Sequence, residues 1–181
     1  RGRSPAEGAA PEREAPAGER FFGLGAHAHE TADLRGAEIT ASKPSLISSR
    51  GYGLDHTAPG KYTFDLATSQ SDRYRITISA ARGVDYYLHY GPTPKEILEE
   101  HKEVAGTPDV LTEWQLGFLA PKQLPQDATP MPAALDASWE SLCDSVRTMV
   151  HASLSGIPLP AFDVGPYRSG PPALYRRALQ L

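Results

Sequence analysis

Hydrophobic and polar positions alternate with a period of two along residues 73–80, where Tyr74, Ile76 and Ile78 are interleaved with Arg75 and Thr77. That alternation predicts a strand of a sheet wetted on one face. Lys61–Leu66 and Val84–Tyr90 carry the same strand character, and short polar or glycine-bearing links separate the three runs. Leu46 and Ile47 are strand formers ahead of Gly51 and Gly53, which allow the positive φ of a hairpin turn. Residues 21–90 are therefore expected to form an antiparallel sandwich.

The period changes after Tyr90. Gly91 and Pro92 stop ladder pairing, and Thr93 can cap a helix that has Pro94 at its first position and Glu96 three residues after the cap. Ile97, Leu98 and Val104 supply an apolar stripe to about residue 104, and Gly106 with Pro108 supplies the stop. A second helix is predicted from Ser138, because Trp139, Leu142, Cys143, Val146, Val150 and Leu154 fall at helical spacing before Gly156. Between them, residues 114–119 are short and apolar, and residues 121–134 form a proline-rich linker. At the other end, residues 1–20 contain no aromatic or branched apolar side chain and are expected to be a disordered tail.

Length and charge narrow the function. The 181 residues suffice for one ordinary domain or two small pieces, and a complete eight-stranded barrel alone takes about 250 residues. A net charge of −4 with scattered basic residues leaves no electrostatic footprint for nucleic acid or an anionic membrane. No apolar run approaches the roughly 20 residues that span a bilayer. Because the chain begins at Arg1, the lack of a signal segment does not fix a compartment. Cys143 is the only cysteine, which excludes an internal disulfide and a multi-cysteine metal site; it is expected to be a small buried apolar residue, not a nucleophile.

Several runs resemble glycoside hydrolase family 31, which contains α-glucosidases and α-xylosidases. Phe-Gly-Leu-Gly at 22–25 is similar to the family's Tyr-Gly-Leu-Gly-Glu, with Ala26 in place of the Glu, and leads toward its Arg-Gly turn at Arg35 and Gly36. Pro-Ser-Leu-Ile-Ser-Ser-Arg-Gly-Tyr-Gly at 44–53 resembles Pro-Phe-Leu-Ile-Ser-Ser-Arg-Gly-Tyr-Gly. Tyr-Gly-Pro-Thr-Pro-Lys-Glu-Ile-Leu-Glu-Glu at 90–100, with Gly-Thr-Pro at 106–108, looks like the family's junction between sandwich and barrel. Residues 114–119 resemble its first barrel strand. Leu-Ser-Gly-Ile-Pro at 154–158, Asp-Val-Gly at 163–165 and the run at 174–181 are similar to its late barrel.

The resemblance implies a galactose mutarotase-like antiparallel β-sandwich followed by a partial (β/α)8 barrel with its middle missing. The implied divisions are a tail over 1–20, a sandwich over 21–92, and a linking helix with a barrel fragment over 93–181. It also implies retaining hydrolysis of terminal α-linked glucose or xylose, with an oligosaccharide or α-glycoside as partner.

That chemistry needs two carboxylates about 5 to 5.5 Å apart. The family's nucleophile lies in a Trp-x-Asp-Met-Asn-Glu motif, and this sequence contains no such run. The register of the acid/base motif puts Ala134 where the family has Asp. Asp127 and Asp136 are the nearby catalytic candidates, each out of register. Asp163 matches the Asp of the family's Asp-Ile-Gly-Gly-Phe motif, a sugar contact; Arg177 and Gln180 match its Arg-Trp-x-Gln, with Ala178 in place of the Trp. Asp163 can equally cap its own turn, and Arg177 and Gln180 can be structural. With both essential carboxylates displaced, catalysis is expected to be impaired, and a non-catalytic sugar-binding or interaction module is the alternative. An uncovered barrel flank would then favour self-association.

Arg50 is open to a ligand contact or to an ion pair with a sandwich carboxylate. His27 and His29 would share a face on a strand and, with Glu30, suggest a metal. In a polar loop the same residues face solvent, and spacing identifies no third ligand. No metal and no organic cofactor is expected.

Overall fold

A computed structural model describes residues 2–4, 12–79, 84–106, 136–157, 160 and 162–181. The expected strand at 114–119, the linker at 121–134 and Asp127 lie outside the described residues.

Among the described residues, nine strands form two antiparallel sheets: β1 (Gly2–Ser4), β2 (Arg13–Glu14), β3 (Phe21–Gly23), β4 (Glu38–Ala41), β5 (Ser45–Ser48), β6 (Tyr52–His56), β7 (Lys61–Leu66), β8 (Arg73–Ser79) and β9 (Val84–Tyr90). One sheet has the order β1-β9-β6-β5-β3 and the other β2-β8-β7-β4. Tyr74, Ile76 and Ile78 point inward from β8 and alternate with exposed neighbours, as their period requires. They meet Tyr62, Phe64 and Leu66 of β7 and Phe21, Leu46, Leu54 and Val84 of the facing sheet in one apolar core. The expected hairpin is present: β5 pairs with β6 from Ser45↔Asp55 to Ser48↔Tyr52, and Gly51 turns the chain at φ 82°.

Residues 12–20 depart from the expected tail. Arg13 pairs with Tyr74, Ala15 is wholly buried, and Glu19 is 2 % exposed. The ordering comes from a distant residue. Arg35 donates one guanidinium nitrogen to the carbonyls of Pro16 and Glu19 and another to those of Ala15 and Ser71. Glu19 Oε1 in turn accepts from Ser48 Oγ at 2.5 Å and Tyr52 Oη at 2.8 Å. A segment with no large apolar residue is thus fixed by polar groups elsewhere in the sandwich.

Helix α1 (Pro94–Ala105) starts as expected: Thr93 Oγ1 accepts from the Glu96 N–H, and the Glu96 carboxylate accepts from the Thr93 N–H. Its stripe is narrower than the sequence implied, since Ile97 is buried while Val104 is 46 % exposed. Ile97 lies on Gly53, where an added Cβ would stand 2.6 Å from its Cγ2. This contact seats α1 on the outer face of the five-stranded sheet, so every residue of β5 is buried and so are Gly53 to His56 of β6.

Helix α2 (Trp139–Leu154) has Ser138 as its cap, but its buried face is not the apolar stripe. Leu142, Ser145, Thr148, His151 and Ala152 are buried, whereas Trp139 is 56 % and Val150 45 % exposed, and Cys143 is exposed rather than interior. The inward polar residues find partners: Ser145 Oγ meets the Tyr167 hydroxyl at 2.9 Å, and Thr148 Oγ1 donates to the Asp144 carbonyl. A 3₁₀ turn (Gly165–Ser169) and helix α3 (Pro172–Ala178) complete the described chain, with Leu142, Tyr167, Leu174 and Ala178 forming a second small core. No barrel is formed among the described residues; after Tyr90 their regular structure is entirely helical.

Candidate functional site

The carboxylates singled out in the sequence do not converge on a pocket among the described residues. Asp136 is exposed and accepts from Ser138 Oγ at 3.0 Å, beside the cap of α2. Asp163 is exposed, and its Oδ1 accepts the Gly165 N–H at 2.7 Å, so it caps its own turn. Arg177 is exposed and donates to Gln180 Oε1 at 3.3 Å, within its own helical end. Arg50 is exposed on the hairpin, with its backbone N–H donated to Ser48 Oγ.

The chemistry-bearing side chains that do converge are on the outer face of the five-stranded sheet. Asp55 on β6 and His89 on β9 share this face because Gly53 pairs with His89 and Asp55 stands two residues further along the strand. Helix α1 brings His101 down on them. Asp55 Oδ2 accepts from His89 Nε2 at 2.7 Å and from His101 Nδ1 at 2.5 Å. The side chains of Asp55, His89 and His101 are 12 %, 5 % and 14 % exposed. Burial alone would raise the Asp55 carboxyl, but hydrogen bonds from His101 and Ser45 and the electrostatic pull of His101 and His89 outweigh it and hold it at about 2. Lys43 Nζ stands 3.4 Å from His101 Nε2, and burial lowers its pKa against the opposing pull of Asp55. The end of α2 closes the cluster: a Cβ on Gly156 would lie 3.0 Å from His101 Cδ2.

A second histidine group lies where α2 meets the loop after β3. His27, marked in the sequence, stacks on His151 with ring centroids 4.0 Å apart, and His29 stands 6.3 Å from His151. His27 Nε2 is engaged by the Gly23 carbonyl at 2.9 Å. The His27 and His151 rings are inclined at 35° to each other, and His29 stands edge-on to both at 78° and 83°. Burial and the neighbouring His27 push His151 down to about 4. Glu30 is exposed.

Sequence reasoning missed the Asp55, His89 and His101 cluster. Its members are separated by 34 and 46 positions from Asp55 and come from three elements, so no local spacing reveals them. The available signal was strand parity, which puts Asp55 on a face opposite the core residue Leu54.

Comparison with known proteins gives consistent partial matches. No protein-family model matches the chain. It is 29 % identical over 122 residues to an isomaltosyltransferase of Sporosarcina globispora, covering 57 % of this chain and 11 % of that protein. Against an α-xylosidase of Saccharolobus solfataricus it is 25 % identical over 128 residues, covering 62 % and 17 %. Among solved structures, a family 31 dextranase of Flavobacterium johnsoniae complexed with isomaltotriose superposes with a TM-score of 0.56 at 24 % identity, covering 62 % of this chain and 16 % of the dextranase. The chain thus spans less than a fifth of the length of each of these proteins.

Proposed function

The chain is a partial homologue of the glycoside hydrolase family 31 enzymes, and from that premise we propose that it represents the sandwich and part of the barrel of a retaining α-glycosidase of this family. The substrate class would be oligosaccharides or glycosides ending in α-linked glucose or xylose. Residues 93–181 would hold the linking helix and the remnant of the barrel. The carrying observation is that the runs at 22–25, 44–53 and 90–100 lie together, on β3, on the β5–β6 hairpin and at the capped start of α1.

Hydrolysis by this chain is impaired in this reading. The sequence has no nucleophile motif, and the sugar-contact candidate Asp163 is occupied with its own turn. Removal of one essential carboxylate costs several orders of magnitude in rate. The test is nitrophenol release from the α-glucoside and the α-xyloside, with Asp163→Asn beside the parent chain. Release no faster than the buffer blank from a cooperatively folded sample is expected. Turnover that falls in D163N would overturn the impairment and name the sugar.

One observation favours a second reading, a non-catalytic sugar-binding or interaction module. Trp139 and Val150 expose apolar surface along α2 while Asp136 and Asp163 serve local turns. Titration with isomaltose and xylose, together with sedimentation velocity, separates the two kinds of module: sugar binding without hydrolysis supports one, and concentration-dependent association supports the other.

A further inference from the structure

We propose that Asp55, His89 and His101 form a binding site for a divalent transition-metal ion of the zinc class, tying helix α1 to strands β6 and β9. Among the described residues this is the one group of three whose ligand atoms all lie within 4.8 Å of one another. The convergence is on a single point. Both imidazoles aim a nitrogen at the same carboxylate oxygen, and their planes cross at 83° with centroids 5.8 Å apart. Two imidazoles and one carboxylate are a donor set that suits zinc and its neighbours, with a position left for water. Ligand bonds of about 2.0 to 2.2 Å at tetrahedral angles hold donor atoms roughly 3.3 Å apart. The observed 2.5 and 2.7 Å therefore need opening by less than about 1 Å, with the two imidazole nitrogens, which lie within 4.8 Å of each other, settling to the same spacing.

The surroundings have the character of a built site. Ser45 holds the Asp55 carboxylate, and the seat of α1 on Gly53 fixes the height of His101 above the sheet. Lys43 opposes the ion. With protons in place of metal, His89 Nε2 and His101 Nδ1 are the N–H donors to ionised Asp55, and His101 Nε2 is left as acceptor toward Lys43. Metal binding takes the lone pairs of His89 Nε2 and His101 Nδ1, so the proton of each ring moves to its other nitrogen. His101 Nε2–H then confronts the Lys43 ammonium, which must turn away. Removal of Lys43 therefore strengthens the site, whereas it would only weaken a network made of hydrogen bonds alone.

The test is isothermal titration of the chain with Zn²⁺ and absorption spectroscopy with Co²⁺. A 1:1 stoichiometry and visible Co²⁺ bands of low-coordinate type are expected. His101→Gln should weaken Zn²⁺ binding by more than the roughly ten- to hundredfold that loss of an outer-shell partner costs. Lys43→Met should strengthen it by about tenfold, through loss of the opposing charge. His29→Gln, at the other histidine group, should leave it unchanged. Should H101Q fail to fold, zinc-dependent shifts of the His89 and His101 ring nitrogens in the unaltered chain carry the same information. No binding in excess metal, or binding lost in H29Q and kept in H101Q, would overturn the proposal. Unshifted ring nitrogens at saturating Zn²⁺ would overturn it too.

Discussion

His56 and His151 are 7 % and 1 % exposed, and among the described residues neither ring nitrogen of His56 nor Nδ1 of His151 has a hydrogen-bond partner. His56 stands among Tyr62, Phe64 and Tyr86, where burial and the Arg13 charge hold it at about 4. His151 is held at about 4 by burial and by His27. Both values lie below the 6.5 of an unfolded histidine, so the unfolded chain takes up protons first as pH falls. Their contribution is fully present above pH 6.5 and is lost progressively between 6.5 and 4. The free energy of protonating a group changes by about 1.4 kcal/mol for each pH step of one, so the loss amounts to a few kcal/mol at most for each histidine. Asp55 adds a lower window, its contribution present above 3.8 and lost as pH falls toward 2. Urea midpoints measured from pH 7 to pH 4 should fall, and His151→Leu, which stays apolar at every pH, should flatten the slope.

At the scale of elements, the capping box makes α1 separable from the sandwich by a small change. Thr93→Ala removes the acceptor for the Glu96 N–H and the hydroxyl that donates to the Glu96 carboxylate at 2.7 Å. The expected cost is about 1 kcal/mol, read by urea denaturation. Because α1 carries His101, the same change should loosen the hydrogen bond to Asp55, visible as faster solvent exchange of the His101 ring N–H. Helix α2 shows the opposite relation between pattern and environment. Its spacing predicted the helix, yet the packed face is the one bearing Ser145, Thr148 and His151, because Tyr167 and the loop after β3 offer hydroxyl, carbonyl and imidazole partners. Hydrophobic periodicity identifies a helix and not its neighbours.

At the scale of the whole molecule, one serine ties the loop after β3 to the end of α2. Ser155 Oγ accepts the Gly25 N–H at 2.6 Å and donates to the His151 carbonyl at 2.8 Å, both within buried surroundings. Ser155→Ala leaves the Gly25 N–H without that acceptor and should destabilise the fold by about 1 to 3 kcal/mol. Thermal melts of the variant, read by far-ultraviolet circular dichroism, check the loss. If instead α2 melts before the sandwich in this variant, the serine is shown to couple the two parts rather than to support one.

The sequence by itself determined the strands β7 to β9, the β5–β6 hairpin, the capped helix and the family they resemble. Each of these rests on interactions between residues a few positions apart, such as the alternation of Tyr74, Ile76 and Ile78, the glycine at 51 and the Thr93–Glu96 box. Tertiary structure alone decided the rest. Arg35 ordered residues that looked like a tail, Gly53 admitted Ile97 and so seated α1, and three residues remote in sequence met at one carboxylate oxygen. Parity assigns a side chain to a face, but only the packing of one element on another determines what that face meets, and buried polar groups take whichever partners that packing brings.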